Sequence, residues 1–285
     1  MKKILVPCDF SETALHAFEL ASDIAKRGNG EVFVLHAIEF PLAYETTFGA
    51  QPYGFDKMAL HDTEAEARKK FETLIAPYND GSVKYTFHLD YGPITESVRH
   101  MIEEQHIDLV VMGTHGAHGM KEFFIGSNTE RIVRFSQAPV LSVKARTRVS
   151  SIRHIVVPTT PEEDHSDFII HLKELQDFFN ATLHLLYINT PLNFQRDEDI
   201  NREFDRYTKR YALQNYTFTI RNDSDEEAGI MNFAYDTHTD MIAMATHGRK
   251  GLAHLVSGSL AEDVVNHVTC PVWTCAIKSE KMHSV

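Results

Sequence analysis

A chain of 285 residues with 43% hydrophobic and 24% charged side chains has a globular composition and the length of about two domains. Its net charge of −12 comes with no Lys/Arg cluster fit to neutralise a nucleic-acid backbone, since the closest, Arg68-Lys69-Lys70, stands among glutamates. No apolar run approaches the roughly 18–20 residues of a membrane helix, and MKKILVPCDFSE has no signal-peptide core, so the expected place is the cytoplasm, away from membranes.

Taken in order, KILVP (3–7) predicts a short strand, with Ser11 as the N-cap of a helix through ETALHAFELASDIAKRG and Gly28 as its stop. EVFVLHA (31–37) predicts a buried strand. The aromatic, Gly- and Pro-containing stretch from Phe40 to about Phe55 reads as a packed surface loop, with a lid or a dimer contact as the functional alternatives. A charged helix follows at about 57–77, then a strand near Val83–Leu89. Pro93 opens a helix over about 94–105, and DLVVMG (108–113) is a strand too apolar to face water. A glycine-containing stretch leads into a helix around 129–135, and PVLSV (139–143) closes the series. The alternation predicts an α/β fold, a doubly wound and mainly parallel five-stranded sheet with helices on both faces.

The series then repeats. RHIVVP (153–158) echoes KKILVP, ATLHLLYIN (181–189) echoes GEVFVLHAIE, DMIAMATHG (240–248) echoes DLVVMGTHG, and CPVWTCAI (270–277) echoes APVLSVKA. Residues 112–127 and 244–259 match at seven of sixteen positions without a gap. The chain therefore reads as one domain in tandem, residues 1–146 and 151–278, joined by a short linker.

In doubly wound sheets, ligands sit beyond the carboxyl ends of the strands. Residues 113–127, GTHGAHGMKEFFIGS, leave such a strand and open a helix. Glycines let backbone N–H groups approach a ligand, and a helix N-terminus with unpaired N–H groups suits phosphate. The bland reading, that turns need glycine and caps need serine, carries equal weight for one copy taken alone. A Walker GxxxxGK[ST] motif is missing, as is GxGxxG after the first strand, so any phosphate site has another geometry.

The pattern Gly113-x2-Gly116-x9-Gly126-Ser127 resembles the nucleotide-binding signature of the universal stress protein family. The opening KKILVPCDFSETA, with Pro7 and Asp9 after the first strand, resembles that family's start, as do VLHAIE and APVLSV at their places. The likeness covers nearly the whole chain, twice. It implies an adenine nucleotide α-hydrolase-like fold and an ATP site in the first half, with magnesium reaching the nucleotide through phosphates and water. By position, Asp9 would accept hydrogen bonds from the ribose or adenine edge, and the backbone at Ala37 would meet adenine. Met112, Gly113 and Gly116 would line the turn, and Gly126, Ser127 and Asn128 would hold the phosphates. The likeness also implies that PVLSV and PVWTC pair across a two-fold, making the chain an internal pseudo-dimer with Trp273 near the interface, and it leaves a homodimer open.

The second half departs from the pattern. Ala245 stands for Gly113 and Thr160 for Asp9, with Glu162, Glu163 and Asp164 nearby, whereas Gly248, Gly258 and Ser259 remain. A methyl at Ala245 narrows the backbone approach, so weak or no ATP binding is expected there. His115 and His247 hold matching places in both halves, which argues for a structural role over general acid–base catalysis. Neither His115/His118 nor DTHTD (236–240) has a recognised metal-ligand spacing, and no metal is assigned. Cys8, Cys270 and Cys275 read as small buried hydrophobes. The leading expectation is an ATP-binding stress-response regulator; a slow ATPase and a non-nucleotide scaffold are the alternatives.

Overall fold

The computed structural model describes residues 1–38, 57–114, 127–161, 166–247 and 260–277. The aromatic stretch, Gly116, Gly126, His115, His118, Gly248, Gly258, Ser259 and the acidic run Glu162–Asp164 lie outside them. In the first half the elements are β1 (Lys3–Pro7), α1 (Glu12–Gly28), β2 (Glu31–Ile38), α2 (Lys57–Ile75), β3 (Lys84–Tyr91), α3 (Ile94–Gln105), β4 (Leu109–Gly113), α4 (Ser127–Phe135) and β5 (Val140–Val143). The second half repeats them as β6 (His154–Pro158), α5 (Ser166–Phe179), β7 (Thr182–Asn189), α6 (Asp197–Arg210), β8 (Tyr216–Asn222), α7 (Glu226–Asp236), β9 (Met241–His247), α8 (Leu260–His267) and β10 (Val272–Ile277).

Local chemistry accounts for the ends of α1. Ser11 caps it, its hydroxyl accepting from the Ala14 N–H at 3.3 Å. The stop is one residue later than Gly28. Asn29 takes the left-handed conformation at φ 49°, a geometry asparagine tolerates, and its N–H returns to the Ala25 carbonyl. Gly28 is required for a different reason: a Cβ there would stand 2.7 Å from the Met1 carbonyl oxygen.

The two halves do not form two separate sheets. Their strands build one ten-stranded sheet in the order β3-β2-β1-β4-β5-β10-β9-β6-β7-β8. Neighbours are parallel except at the centre, where β5 and β10 run antiparallel with Leu141 opposite Trp273. Each half would otherwise leave an apolar edge strand with unpaired N–H and C=O groups, and pairing the two edges satisfies both. On one face α1, α2, α5 and α6 cover a single core that runs through both halves, with Phe18, Phe179 and Trp273 fully buried in it. On the other face α3 and α4 cover one cluster, and α7 and α8 cover a second.

A carboxylate marks the same point in each half. Asp108 accepts from the N–H groups of Lys2 and Lys3 at 2.6 and 3.0 Å, and Asp240 accepts from those of Arg153 and His154 at 2.9 Å each. Each carboxylate, just before the fourth strand of its half, satisfies orphan donors at the start of the first.

Candidate functional site

The strand order 3-2-1-4-5 reverses between β1 and β4, the switch point at which doubly wound sheets leave a crevice beyond the carboxyl ends of the strands. Pro7 ends β1, opposite Leu35 of β2. The Cys8 N–H donates to the Leu35 carbonyl at 2.8 Å, and His36 Nδ1 lies 2.7 Å from the Cys8 carbonyl, to which it donates. The loop is thereby held before it reaches Asp9. Asp9 is exposed at the rim, with Oδ1 accepting from the Ser11 N–H at 3.0 Å. This Asx turn aims the carboxylate at the entry of α1. Phe10 carries a positive φ of 63°, rare for an aromatic residue, and its ring packs 5.0 Å from that of His36. Burial pushes the Cys8 thiol up to about 12, so it is no nucleophile here.

Gly113 ends β4 beside this loop. A Cβ on it would fall 2.6 Å from the carbonyl carbon and oxygen of Thr13, and 2.9 Å from the Ala14 nitrogen. Its first requirement is thus the close approach of α1, and its φ lies outside the left-handed region. Met112 is buried, its side chain among Val98, Met101 and Val133, so only its backbone is available to a ligand. Thr129 was not singled out in the sequence, yet its buried hydroxyl donates to the Gly113 carbonyl at 3.3 Å. That bond ties the first turn of α4, with Ser127 and half-buried Asn128, to the strand end. Ala37 sits on β2 in register with Asp90. Pro7, Asp9, Gly113 and the N-terminus of α4 therefore converge on one crevice, with Ala37 near the end of the adjoining strand. Gly116 and Gly126 lie outside the described residues.

The second half repeats the scaffold and changes its lining. Thr159 takes the place of Cys8, its N–H donating to the Leu186 carbonyl at 2.9 Å, and exposed Thr160 stands where Asp9 stands. Ile188 occupies the Ala37 position and packs so tightly on α7 that a Cβ on Gly229 would meet it at 2.6 Å. Ala261 replaces Thr129, so no hydroxyl tethers α8 to β9 at this point. Asn189 clasps the Gln195 backbone with two 3.0 Å hydrogen bonds, folding the segment after β7 back over its strand. The helix shifts too: α1 packs on β4, whereas its counterpart α5 packs on β10.

These features define a class of protein, a tandem doubly wound α/β chain with one switch-point crevice whose carboxylate is kept and a second that is altered. The chain belongs to the universal stress protein family, whose model matches residues 1–144 and again 151–275. It is 30% identical to universal stress protein MJ0577 of Methanocaldococcus jannaschii over 155 residues, 51% of this chain and 96% of that protein. Its identity to universal stress protein A homolog 1 of Coxiella burnetii is 32% over 144 residues, 50% of this chain and 95% of that one. Both relatives have the length of one half. The crystal structure of a universal stress protein from Archaeoglobus fulgidus superposes on both halves with a TM-score of 0.66 at 19% identity, covering 96% of this chain and 98% of that chain; this is a likeness of fold. No helix among the described residues is long and apolar enough to cross a membrane.

Proposed function

We propose that this chain is a cytoplasmic ATP-binding protein of the stress response, with the nucleotide held in residues 1–146 and little or none in 151–278. The observation that carries the reading is the convergence of the Asp9 loop, the Gly113 strand end and the Thr129-tethered start of α4 on one crevice. An acidic group there suits hydroxyl and amino donors of ribose and adenine. The helix N-terminus offers N–H groups to phosphate without cationic side chains, as a chain of charge −12 requires. Asp9, Ala37 and the Met112 backbone would contact the nucleoside; Gly113 and Gly116 would shape the turn; Gly126, Ser127 and Asn128 would meet the phosphates, with magnesium bound through them. ATP would act by favouring one conformational or partner-binding state over another.

Calorimetry with magnesium and ATP on the wild type, Asp9→Ala and Gly126→Val tests this. The expected stoichiometry is near one per chain. Loss of the charged acceptor in Asp9→Ala weakens affinity about 10- to 100-fold, the worth of about 1.5–3 kcal/mol for a hydrogen bond to a charged group. Two equal sites, or no binding at millimolar ATP, would overturn the reading.

A further inference from the structure

A pair of histidines in the second half lies apart from both crevices. His154 opens β6, and His184 is the third residue of β7, in register with Val156. Both imidazoles rise from the face that carries Val156 and Leu186, at the amino ends of the strands. His154 Nδ1 lies 3.0 Å from His184 Nε2, with ring centroids 5.1 Å apart. A hydrogen bond at this distance holds one proton between two nitrogens, so each approach to it is a lone pair facing a donor.

The surroundings orient the pair as ligating imidazoles are oriented. His184 Nδ1 is 2.7 Å from the hydroxyl of Thr217, its direct partner across β7 and β8. Donation from Nδ1–H to that oxygen leaves the Nε2 lone pair aimed at His154, the outer-shell device that fixes the tautomer of metal-bound histidine. Asp240 adds an anion at the base of β6. The corresponding places in the first half are Lys3 and Phe33, so the pair belongs to the second half alone.

We propose that His154 and His184 form a two-imidazole site for a borderline divalent transition ion of the Zn2+ type. On binding, neutral His154 moves its proton from Nδ1 to its other ring nitrogen. Both facing nitrogens then donate lone pairs to the metal, with no net release of protons. Metal–nitrogen bonds of about 2.0–2.1 Å place two tetrahedral ligands about 3.3 Å apart, so the nitrogens need separate by only a few tenths of an ångström while both rings tilt to aim their lone pairs at the ion. Among the described residues no group of three or more His, Cys, Asp or Glu forms a metal cluster, so water completes the shell.

The test is a calorimetric titration of the chelator-treated full chain with zinc chloride, at slightly alkaline pH and without nucleotide. The variants are His184→Phe and His154→Lys, which install the first half's own residues, and Thr217→Val, which leaves both ligands. One equivalent should bind the wild type. Affinity should fall at least 10-fold in either histidine variant and about 10-fold in Thr217→Val, the usual effect of losing an outer-shell partner. Circular dichroism on each variant separates lost binding from lost folding. Zinc binding of unchanged affinity in all three variants would place the ion on others of the 17 histidines and overturn the proposal, as would absence of binding to the wild type.

Discussion

Gly113 shows how one residue can serve packing and a proposed binding site at once. With a Cβ 2.6 Å from the Thr13 backbone, Gly113→Ala must push α1 away from β4. The expected cost is about 1–3 kcal/mol, the usual range for overpacking a well-filled site. Because Asp9 rides on the loop that enters α1, ATP affinity should fall with stability. The reverse change, Ala245→Gly, should cost only about 0.5–1 kcal/mol, the added chain entropy of glycine, and create no second ATP site. Urea unfolding and calorimetry on the two variants check both statements. The glycine was legible in the sequence as part of a signature. Its contact with α1 was not, because the Thr13 backbone is a hundred residues away in the chain and only the sheet order brings it close.

At the scale of elements, the site depends on how a helix end is held to a strand end. The Thr129 hydroxyl is a single bond between the first turn of α4 and the Gly113 carbonyl. Thr129→Val keeps the shape and removes the donor. It should cost about 1 kcal/mol, the net worth of an ordinary hydrogen bond, and should weaken ATP binding as α4 loosens. Ser22→Ala deletes a comparable hydroxyl bond to Phe18 within α1, away from the crevice, and should leave ATP affinity unchanged. Equal effects of the two variants on ATP would show that α4 is not positioned by Thr129. The elements themselves were readable from the sequence: the Ser11 cap, the helix after Pro93 and the strand DLVVMG all stand where the pattern put them. The departures at Ile188 and Ala261 were also present in the sequence. Their meaning was not, since it rests on which side of a strand or helix faces the crevice.

For the whole molecule, the decisive junction is between the halves. Besides the β5–β10 pairing, Arg134 of α4 makes two charge-assisted bonds, at 2.6 and 2.7 Å, to Glu262 of α8, which is 5% exposed. Burial raises the Glu262 carboxyl above its usual range despite Arg134, so its ionised form is held at some cost. Arg134→Leu should destabilise the chain by about 1–3 kcal/mol near neutral pH, less than a fully buried pair because Arg134 itself is partly exposed. A carboxyl whose folded pKa lies above its unfolded value takes up protons in the folded state first. Acidification through that raised pKa should therefore neutralise Glu262 and recover part of the loss in the variant, before general acid unfolding sets in. Denaturant unfolding of both proteins across mildly acidic pH measures this; a gap that widened on acidification would contradict it. The sequence by itself determined the duplication, the α/β order and the loss of the carboxylate at Thr160, because periodicity, caps and repeats are local or comparable position by position. The resemblance also implied the pairing of the two last strands, which β5 and β10 bear out; only the tertiary structure decided that Gly113 is pinned by α1, that Thr129 bonds to the end of β4 and that His154 meets His184. Each of these depends on strand order and register, which bring together residues that no local pattern connects.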